Sequence, residues 1–148
     1  MGNLNTALSK YNLAFKGKVR NVYNYDDNKL LIYTSDRISA FDYVFNDEIE
    51  GKGLLLTKMA KFWFNKTRHI ISNHIANEDP DIISNIKDSC MLVTKTKVLP
   101  IEAIVRGHLA GSAWNTYEAT QKINGISAQK EYKKYDKFDA PIFTPSTK

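Results

Sequence analysis

Three short segments near the start of the chain, separated by turn-forming residues, constrain its fold more than any other feature. They cover residues 11–16, 19–25 and 29–34 and are rich in aromatic and β-branched side chains. Gly17 separates the first two segments, and the residues Asp-Asp-Asn at 26–28 separate the second from the third. Because connections this short join antiparallel neighbours, the sequence predicts an antiparallel meander.

A longer segment with helical spacing follows the meander. From Gly53 to about Ile71, apolar residues recur at helical intervals with lysines between them. The apolar positions are Leu55, Met59, Phe62 and Trp63. This pattern predicts an amphipathic helix that packs on the sheet, and hence an α+β fold.

Several short elements are predicted between the helix and residue 106. Residues 77–87 are typical of a turn and a short helix, and two further strands are predicted at about 90–97 and 101–106, with Pro100 between them.

A second predicted helix and a charged tail with little periodicity complete the sequence. The helix is predicted from Ser112 to about Ile123, and Asn124-Gly125 ends it. After Gly125 the chain is charged, has little periodicity and stops at Lys148 without an element that would close a domain. We therefore expect these residues to be the front part of a longer protein.

Composition indicates a globular protein with anionic partners. Hydrophobic residues make up 43% and charged residues 25% of the chain, and no apolar run is long enough to span a bilayer. The first residues do not form a secretory signal, so we expect a cytoplasmic location and no membrane partner. The net charge of +5, from 21 basic and 16 acidic residues, favours nucleotides, phosphates or nucleic acid.

Cysteine and histidine suggest no metal or redox chemistry. Cys90 is the single cysteine and lies in an apolar run, so we predict a buried strand residue. His69 and His74 are not spaced to share one helical face, and His108 stands apart from both. The histidines therefore predict no metal site.

A glycine among basic residues stands at the first predicted turn. Gly17 lies between Lys16 and Lys18, with Arg20 close behind. Glycine lets a backbone approach a phosphate closely, and the cations supply charge. The alternative is an ordinary basic hairpin turn.

Two polar segments follow the third predicted strand. The sequence Thr-Ser-Asp-Arg-Ile-Ser-Ala-Phe-Asp, residues 34–42, contains Asp36, Arg37, Ser39 and Asp42. Its mixture of polar and apolar residues favours an ordered segment, although adjacent Asp and Arg also form simple loop ion pairs. Lys52, between two glycines before the long helix, adds a second place where amides and a cation can meet an anion.

The segment Val-Arg-Gly-His-Leu-Ala-Gly-Ser-Ala-Trp, residues 105–114, joins a predicted strand to a predicted helix. Arg106 stands at the strand end, and Gly111-Ser112 begins the helix. Free amides and a hydroxyl at a helix start suit a phosphate or carboxylate. The alternative is an ordinary connection in which Ser112 is the N-cap.

Five segments in order resemble the N-terminal half of one family. The segments are GKVRNVY, SDRISAFD, GKGLLLTKMAKFWF, PIEAIVRGHLAGSAW and IFTPSTK. Together they resemble the SAICAR synthetase family, the phosphoribosylaminoimidazole-succinocarboxamide synthases, over about residues 15–148. The resemblance implies a kinase-like small antiparallel β lobe with a packed helix at 1–98. It also implies the beginning of a second α+β, ATP-grasp-like lobe at 99–148.

The resemblance also implies an activity. The family joins aspartate to carboxyaminoimidazole ribonucleotide, using ATP and Mg²⁺ and releasing ADP and phosphate, in purine biosynthesis. The chain would then be part of an ATP-dependent carbon–nitrogen ligase that acts on small molecules, with the question of a homo-oligomer left open. A carboxylate is a resonance-stabilised anion, so it must be activated, as an acyl phosphate, before an amine attacks it.

Residue roles follow from the same resemblance, and no catalytic residue is assigned. The residues implied in ATP binding are Lys16, Gly17, Lys18, Arg20, Met91, Lys95 and Glu102. The residues implied in binding the other substrates are Asp36, Arg37, Ser39, Asp42, Lys52, Arg106, Gly111 and Ser112. We expect these glycines and cations to converge on phosphorylated reactants.

The sequence departs from the family pattern at two positions and lacks one block. Asn21 stands where the family often has aspartate, and Ala113 where it often has glycine. A second family marker, an acidic strand similar to DFKxEFG, is absent, and the Mg²⁺ ligands are expected in that missing part. We therefore expect the 148-residue chain alone to bind nucleotide weakly and not to catalyse.

Two other functions remain open from the sequence. One is a stand-alone nucleotide-binding or kinase-like module, which would bind ATP but not the imidazole ribonucleotide. The other is a basic β-rich nucleic-acid binder that stacks bases on Phe15, Tyr23 and Tyr25. The second function requires binding that weakens steeply with salt.

Overall fold

The computed structural model describes residues 7–81, 86–128 and 130–147. It divides into two compact units, residues 1–96 and 97–148, and each is described by itself. Part of the short helix predicted within residues 77–87 lies outside the described residues. Within them, no helix has both the length and the apolar character needed to cross a bilayer.

The first unit is built on the predicted meander. Strands β1 (Asn12–Lys16), β2 (Arg20–Asn24) and β3 (Lys29–Thr34) pair antiparallel in sequence order, and β6 (Cys90–Thr94) joins β3 at the edge. Strand β6 is shorter than the predicted strand at 90–97. The prediction of an α+β fold around an antiparallel sheet is confirmed.

One face of this sheet carries the core of the first unit. Leu31, Tyr33 and Cys90 are buried there. They pack with Ala7, Leu8 and Ile86. Cys90 is 0% exposed, as predicted for a buried strand residue, and burial raises the pKa of its thiol to about 12.

The opposite face of the sheet carries an apolar row that is left partly open. Phe15 pairs with Val22, Val22 with Ile32, and Ile32 with Met91. Residues paired directly across antiparallel strands share a face, so these four side chains form one row across the sheet. Phe15 is exposed, and the other three are half-buried. We call these four residues the apolar row.

A two-stranded ribbon follows the sheet where the sequence shows the polar segment 34–42. Strand β4 (Arg37–Ala40) pairs antiparallel with β5 (Tyr43–Glu48). Phe41 and Asp42 form the turn between them with φ of 49° and 66°. Two successive residues of positive φ are typical of a hairpin turn that matches strand twist. The expectation of an ordered segment is confirmed, and its form is a hairpin.

Helix α1 (Lys52–Thr67) is confirmed, although it ends before the predicted Ile71. Its side toward the sheet is made by small residues: Gly53 and Thr57 are the buried positions. The Thr57 hydroxyl donates a hydrogen bond of 3.3 Å to the carbonyl of Ser89, in a short 3-10 helix at Lys87–Ser89.

The prediction of which face of α1 packs on the sheet is wrong. Leu55, Met59, Phe62 and Trp63 are 58%, 50%, 58% and 56% exposed. The reason is steric, because the helix backbone at Gly53 lies so close to strand β3 that a large side chain cannot fit between them.

The second unit contains short strands around one helix. Strand β8 (Val105–His108) pairs with β11 (Lys137–Phe143), and α2 (Ser112–Thr120) lies between them in sequence. The remaining pairs are β7 (Ile101–Glu102) with β12 (Ser146–Thr147), and β9 (Lys122–Ile123) with β10 (Ile126–Ser127). The strand predicted at 101–106 is therefore two strands, and the helix ends at Thr120 rather than Ile123.

No element was predicted after Gly125, but the structure has strands β10, β11 and β12 there. Phe138 in β11 is 4% exposed and forms the core of the second unit with Leu109 and Tyr117. The backbone N–H of Tyr132 donates to the Tyr117 hydroxyl at 3.0 Å. Isolated aromatic residues among lysines supply this packing, and they leave no periodicity in the sequence.

His74 provides a test of the first unit by pH. Its ring lies edge-on to Phe64 at 5.1 Å, and burial lowers its pKa below the ordinary value of 6.5. The unfolded chain therefore binds a proton first, and stability present above pH 6.5 is lost as the pH falls through the lower folded pKa. We expect His74→Gln to lose less stability than the unsubstituted chain between pH 7.5 and 5.5, measured by Cys90 thiol labelling across urea concentrations. Equal losses would contradict this prediction.

Candidate anion-binding site

The turn between β1 and β2 brings the backbone of Gly17 against the next strand. The amide of Gly17 donates to the carbonyl of Arg20 at 2.7 Å. A Cβ at position 17 would lie 2.8 Å from that carbonyl oxygen. No side chain can be accommodated without moving the turn, so glycine is required here by contact rather than by φ.

Arg37 connects strand β4 to this turn. Its Nη2 donates to Asn21 Oδ1 at 3.1 Å and to the Gly17 carbonyl at 3.4 Å, and its Nε donates to Ser35 Oγ at 2.9 Å. The residue is half-buried. The side chain predicted as a substrate contact thus holds the Gly17 turn in place. Asn21, where the family often has aspartate, serves as a neutral acceptor for Arg37.

Asp36 is engaged by the start of helix α1. Its carboxylate accepts hydrogen bonds from the backbone N–H groups of Gly51 at 3.0 Å and Gly53 at 2.7 Å. These amides have no partner within the helix, and a carboxylate at a helix N-terminus also interacts favourably with the helix dipole. Lys52, between the two glycines, donates from Nζ to the Arg37 carbonyl at 2.9 Å.

The ribbon and the first hairpin also meet through an exposed ion pair. Lys18 Nζ contacts the carboxylate of Asp42, with side-chain exposures of 52% and 90%. The hydrogen bond from Lys18 lowers the pKa of Asp42 below its ordinary value. An exposed pair of this kind contributes little to stability, so an anionic ligand can compete for the Lys18 ammonium.

The other predicted residues of the first unit lie around these contacts. Lys16 and Arg20 end the two strands at the Gly17 turn, and Ser39 pairs with Val44 within the ribbon. Met91 belongs to the apolar row. The backbone N–H of Lys95 donates to the Asn28 carbonyl at 2.8 Å, at the end of the sheet.

In the second unit, Arg106 and Ser112 are in contact. Arg106 Nη2 donates to Ser112 Oγ at 3.2 Å, and its Nε donates to Thr144 Oγ1 at 3.0 Å. The N-cap of α2 is Gly111, with φ of 58° and no side-chain cap, so the alternative that made Ser112 the N-cap is wrong. Ala113 lies inside α2, where no positive φ is needed.

Two features of the site were not predicted from the residues. Thr144, a buried partner of Arg106, lies in the segment IFTPSTK, which contributed only to the family resemblance. Of the apolar row, only Met91 was implied in ATP binding, and Phe15 was named only for the alternative nucleic-acid function. The four residues lie on four separate strands, so no local pattern links them. Glu102 is exposed in β7, opposite Ser146.

The structure therefore gathers predicted residues into one group in each unit. The group in the first unit comprises Gly17, Lys18, Arg37, Asp42 and Lys52. The group in the second unit comprises Gly111, Ser112 and Arg106. The first group places cations at the Gly17 turn, and the second places Arg106 beside the exposed start of α2 at Gly111 and Ser112. Cations at such positions are the groups that bind phosphate and carboxylate. Among residues 7–81, 86–128 and 130–147, no three His, Cys, Asp or Glu side chains lie together as metal ligands would.

The stacking surfaces of the alternative nucleic-acid function are partly occupied. The Tyr25 ring stacks on Tyr11 with centroids 5.2 Å apart, and both Tyr23 and Tyr25 pack against the core. Phe15 is exposed, but it stands in the apolar row rather than beside the tyrosines.

Fold and site together define the class: an α+β protein with an antiparallel sheet that presents cations and backbone amides suited to anions. The model of the family described as SAICAR synthetase matches residues 13–148. The chain belongs to the SAICAR synthetase family, as the sequence resemblance predicted.

Individual relatives agree in name and in fold. A phosphoribosylaminoimidazole-succinocarboxamide synthase of Halorhodospira halophila is 39% identical over 97% of this chain, and one of Methylobacillus flagellatus is 40% identical over 98%. A solved SAICAR synthase of Saccharomyces cerevisiae, complexed with SAICAR, is 38% identical, covers 93% of the chain and superposes with a TM-score of 0.84.

The relatives are longer than this chain. The chain accounts for 50% and 51% of the two bacterial relatives and 51% of the yeast protein. It therefore spans about half the length of the relatives that it matches.

Proposed function

We propose that this chain supplies the nucleotide-binding part of an ATP-dependent ligase that joins aspartate to carboxyaminoimidazole ribonucleotide. The main support for this proposal is that the chain belongs to the SAICAR synthetase family over residues 13–148. The product would be SAICAR, the compound named in the complex of the yeast relative. ADP and phosphate would be released, in the cytoplasm, as a step of purine biosynthesis.

The reaction explains why the site is rich in cations and amides. Formation of an acyl phosphate transfers the γ-phosphoryl group of ATP to a carboxylate oxygen. The aspartate amine then attacks the carbonyl carbon, phosphate leaves with its electron pair, and the amine loses a proton. All reactants are anions, so the protein must neutralise charge and align them.

ATP would lie along the open face of the first unit. The apolar row offers a flat surface for the adenine, and Met91 forms its end on β6. The backbone of the Gly17 turn, with Lys18, would contact the phosphates, because no side chain at position 17 blocks their approach. Lys16, Arg20, Lys95 and Glu102 complete the proposed ATP-binding set.

Substrate binding is proposed for both groups of residues. Arg106 and Ser112 would contact a phosphate or carboxylate directly, since Arg106 presents planar donors beside a hydroxyl at a helix start. Arg37 and Asp36 would act by holding the Gly17 turn and the start of α1. Ser39, Asp42, Lys52 and Gly111 complete the proposed substrate set. We also propose lobes at residues 1–98 and 99–148.

Mg²⁺ is proposed as a cofactor of the whole ligase. Within the described part of this chain, no three His, Cys, Asp or Glu side chains lie together as a metal site made of protein ligands alone would require. Its ligands are proposed in the additional length found in the relatives.

The test joins this chain to the part of the Halorhodospira halophila relative that it does not match. We expect the fusion to release ADP only when aspartate and carboxyaminoimidazole ribonucleotide are both present, and the 148-residue chain alone to release none. Lys18→Met should raise the KM for ATP about tenfold, the loss of one charged phosphate contact worth about 1.4 kcal/mol.

Lys130→Met is the matched control for Lys18→Met. Lys130 pairs with Asp139 at side-chain exposures of 50% and 85%, close to those of the Lys18–Asp42 pair. It should leave the KM for ATP unchanged. Release of ADP without aspartate, or ligation by the chain alone, would contradict the proposal.

A further inference from the structure

Helix α1 presents an apolar face that no described residue buries. Leu55, Met59 and Phe62 recur at helical intervals, so they lie on one side of the helix, and Trp63 extends the same stripe. The rings of Phe62 and Trp63 meet edge-on at 5.2 Å. We call Leu55, Met59, Phe62 and Trp63 the α1 face.

The size of the α1 face points to a partner. Each of its four side chains is half or more exposed, and two are aromatic. Single exposed apolar residues are ordinary, but a contiguous stripe of large side chains marks an interaction surface. The helix meets its own sheet through Gly53 and Thr57, so turning the stripe inward would place large side chains where the backbones touch.

Charge around the α1 face limits what can cover it. Residues 52–68 contain no acidic residue, and Lys58 and Lys66 flank the stripe, both exposed. Lys58 pairs with Asp88 at 3.7 Å, so of these two lysines Lys66 supplies most of the unbalanced charge. In a symmetric dimer the same patch meets itself, so this basic helix would lie against its own copy. Like charges at that contact are unfavourable, which argues against a second copy of the chain.

We propose that the α1 face is the docking surface for the second half of a full-length chain of this family. The relatives are about twice as long as the matched region, so a further stretch of about equal length is available in such a polypeptide to cover the α1 face. The contacting surface would be apolar at its centre and acidic at its edge. The inference rests on the proposed function only in assuming that the two halves form one enzyme.

Cysteine labelling can test this inference without measuring catalysis. Met59→Cys places a thiol in the centre of the α1 face, while Cys90, fully buried, reports whether the first unit is folded. The variant is labelled with iodoacetamide, and the modified residue is identified by peptide mass. The 148-residue chain is compared with its fusion to the unmatched part of the Halorhodospira halophila relative.

We expect the thiol at position 59 to react at least about tenfold more slowly in the fusion, because reaction then requires the covered surface to open. Leu13→Cys is the control, since Leu13 is also apolar and has a similar exposure of 51% against 50% for Met59. It should keep its rate, and Cys90 should stay unlabelled in both proteins. Equal rates at position 59 in the chain and in the folded fusion would overturn the inference.

A second measurement does not depend on the fusion. The 148-residue chain is sedimented over a range of concentrations, with Phe62→Ser compared directly. We expect a monomer in both cases, and a dimer abolished by Phe62→Ser would assign the α1 face to a second copy and overturn the inference.

The labelling result and the ligase activity can be separated. Protection of position 59 in a fusion without ligase activity would support the docking surface and contradict the proposed function. Ligase activity in a fusion whose position 59 stays unprotected would support the proposed function and contradict the docking surface.

Discussion

Gly53→Ala is expected to destabilise the first unit by about 3 kcal/mol, at the upper end of the usual cost of overpacking a close contact. A Cβ at position 53 would lie 2.2 Å from the carbonyl oxygen of Thr34 and 2.9 Å from its carbonyl carbon. Both atoms belong to the backbone of strand β3, so a rotamer change cannot relieve the clash. Alanine favours a helix over glycine by up to about 1 kcal/mol, which is too little to offset it.

Thiol labelling of Cys90 across urea concentrations measures this loss in the first unit. Cys90 is the single cysteine and is fully buried, so it reacts when that unit opens. Gly107→Ala, in the second unit, is a control for the same substitution where a Cβ meets nothing within 4 Å. The control should change stability by less than about 0.5 kcal/mol. An unchanged midpoint for Gly53→Ala would show that the close contact between α1 and β3 is wrong.

This close contact also explains why the sequence did not predict which face of α1 packs on the sheet. The recurrence of Leu55, Met59 and Phe62 predicts a helix with an apolar side, and the helix is present. Periodicity identifies a stripe but not the element that covers it, and the sheet is approached instead through Gly53. The meander was predictable because each strand is short, aromatic or β-branched, and bounded by a turn.

The tail was missed for a related reason. Tyr132 and Phe138 are separated by lysines and lie in an irregular segment and a strand, so neither a helical nor an alternating pattern links them. Their burial depends on Leu109 and Tyr117, which are distant in sequence. Local sequence patterns therefore predicted most elements of the first unit, whereas the structure of the second unit depends on packing between residues distant in sequence.

The candidate site was predictable in residue type more than in role. Arg37 and Asp36 were assigned to substrate binding by the family resemblance of the segment SDRISAFD. Their partners, the Gly17 turn and the amides of Gly51 and Gly53, lie 15 to 20 residues away, and no local pattern joins them. The two side chains organise the groups that would meet the ligand.

Asp36→Ala is expected to destabilise the first unit by about 2 kcal/mol, the usual cost of losing a charged group that caps a helix. It leaves the N–H groups of Gly51 and Gly53 without their acceptor and removes a negative charge from the start of α1. Asp36→Asn keeps one acceptor oxygen and should lose about half as much. The same Cys90 labelling across urea measures both variants.

Asp47→Ala provides the comparison for Asp36→Ala, because Asp47 is an exposed carboxylate in β5 of the same ribbon. It should change stability by less than about 0.5 kcal/mol. If Asp36→Ala lowered stability no more than Asp47→Ala, the carboxylate would not be capping α1. The residue would then be available to contact a substrate, the role that the family resemblance implied. A large loss places Asp36 among the residues that position the site, because the start of α1 also carries Lys52, whose ammonium holds the Arg37 carbonyl.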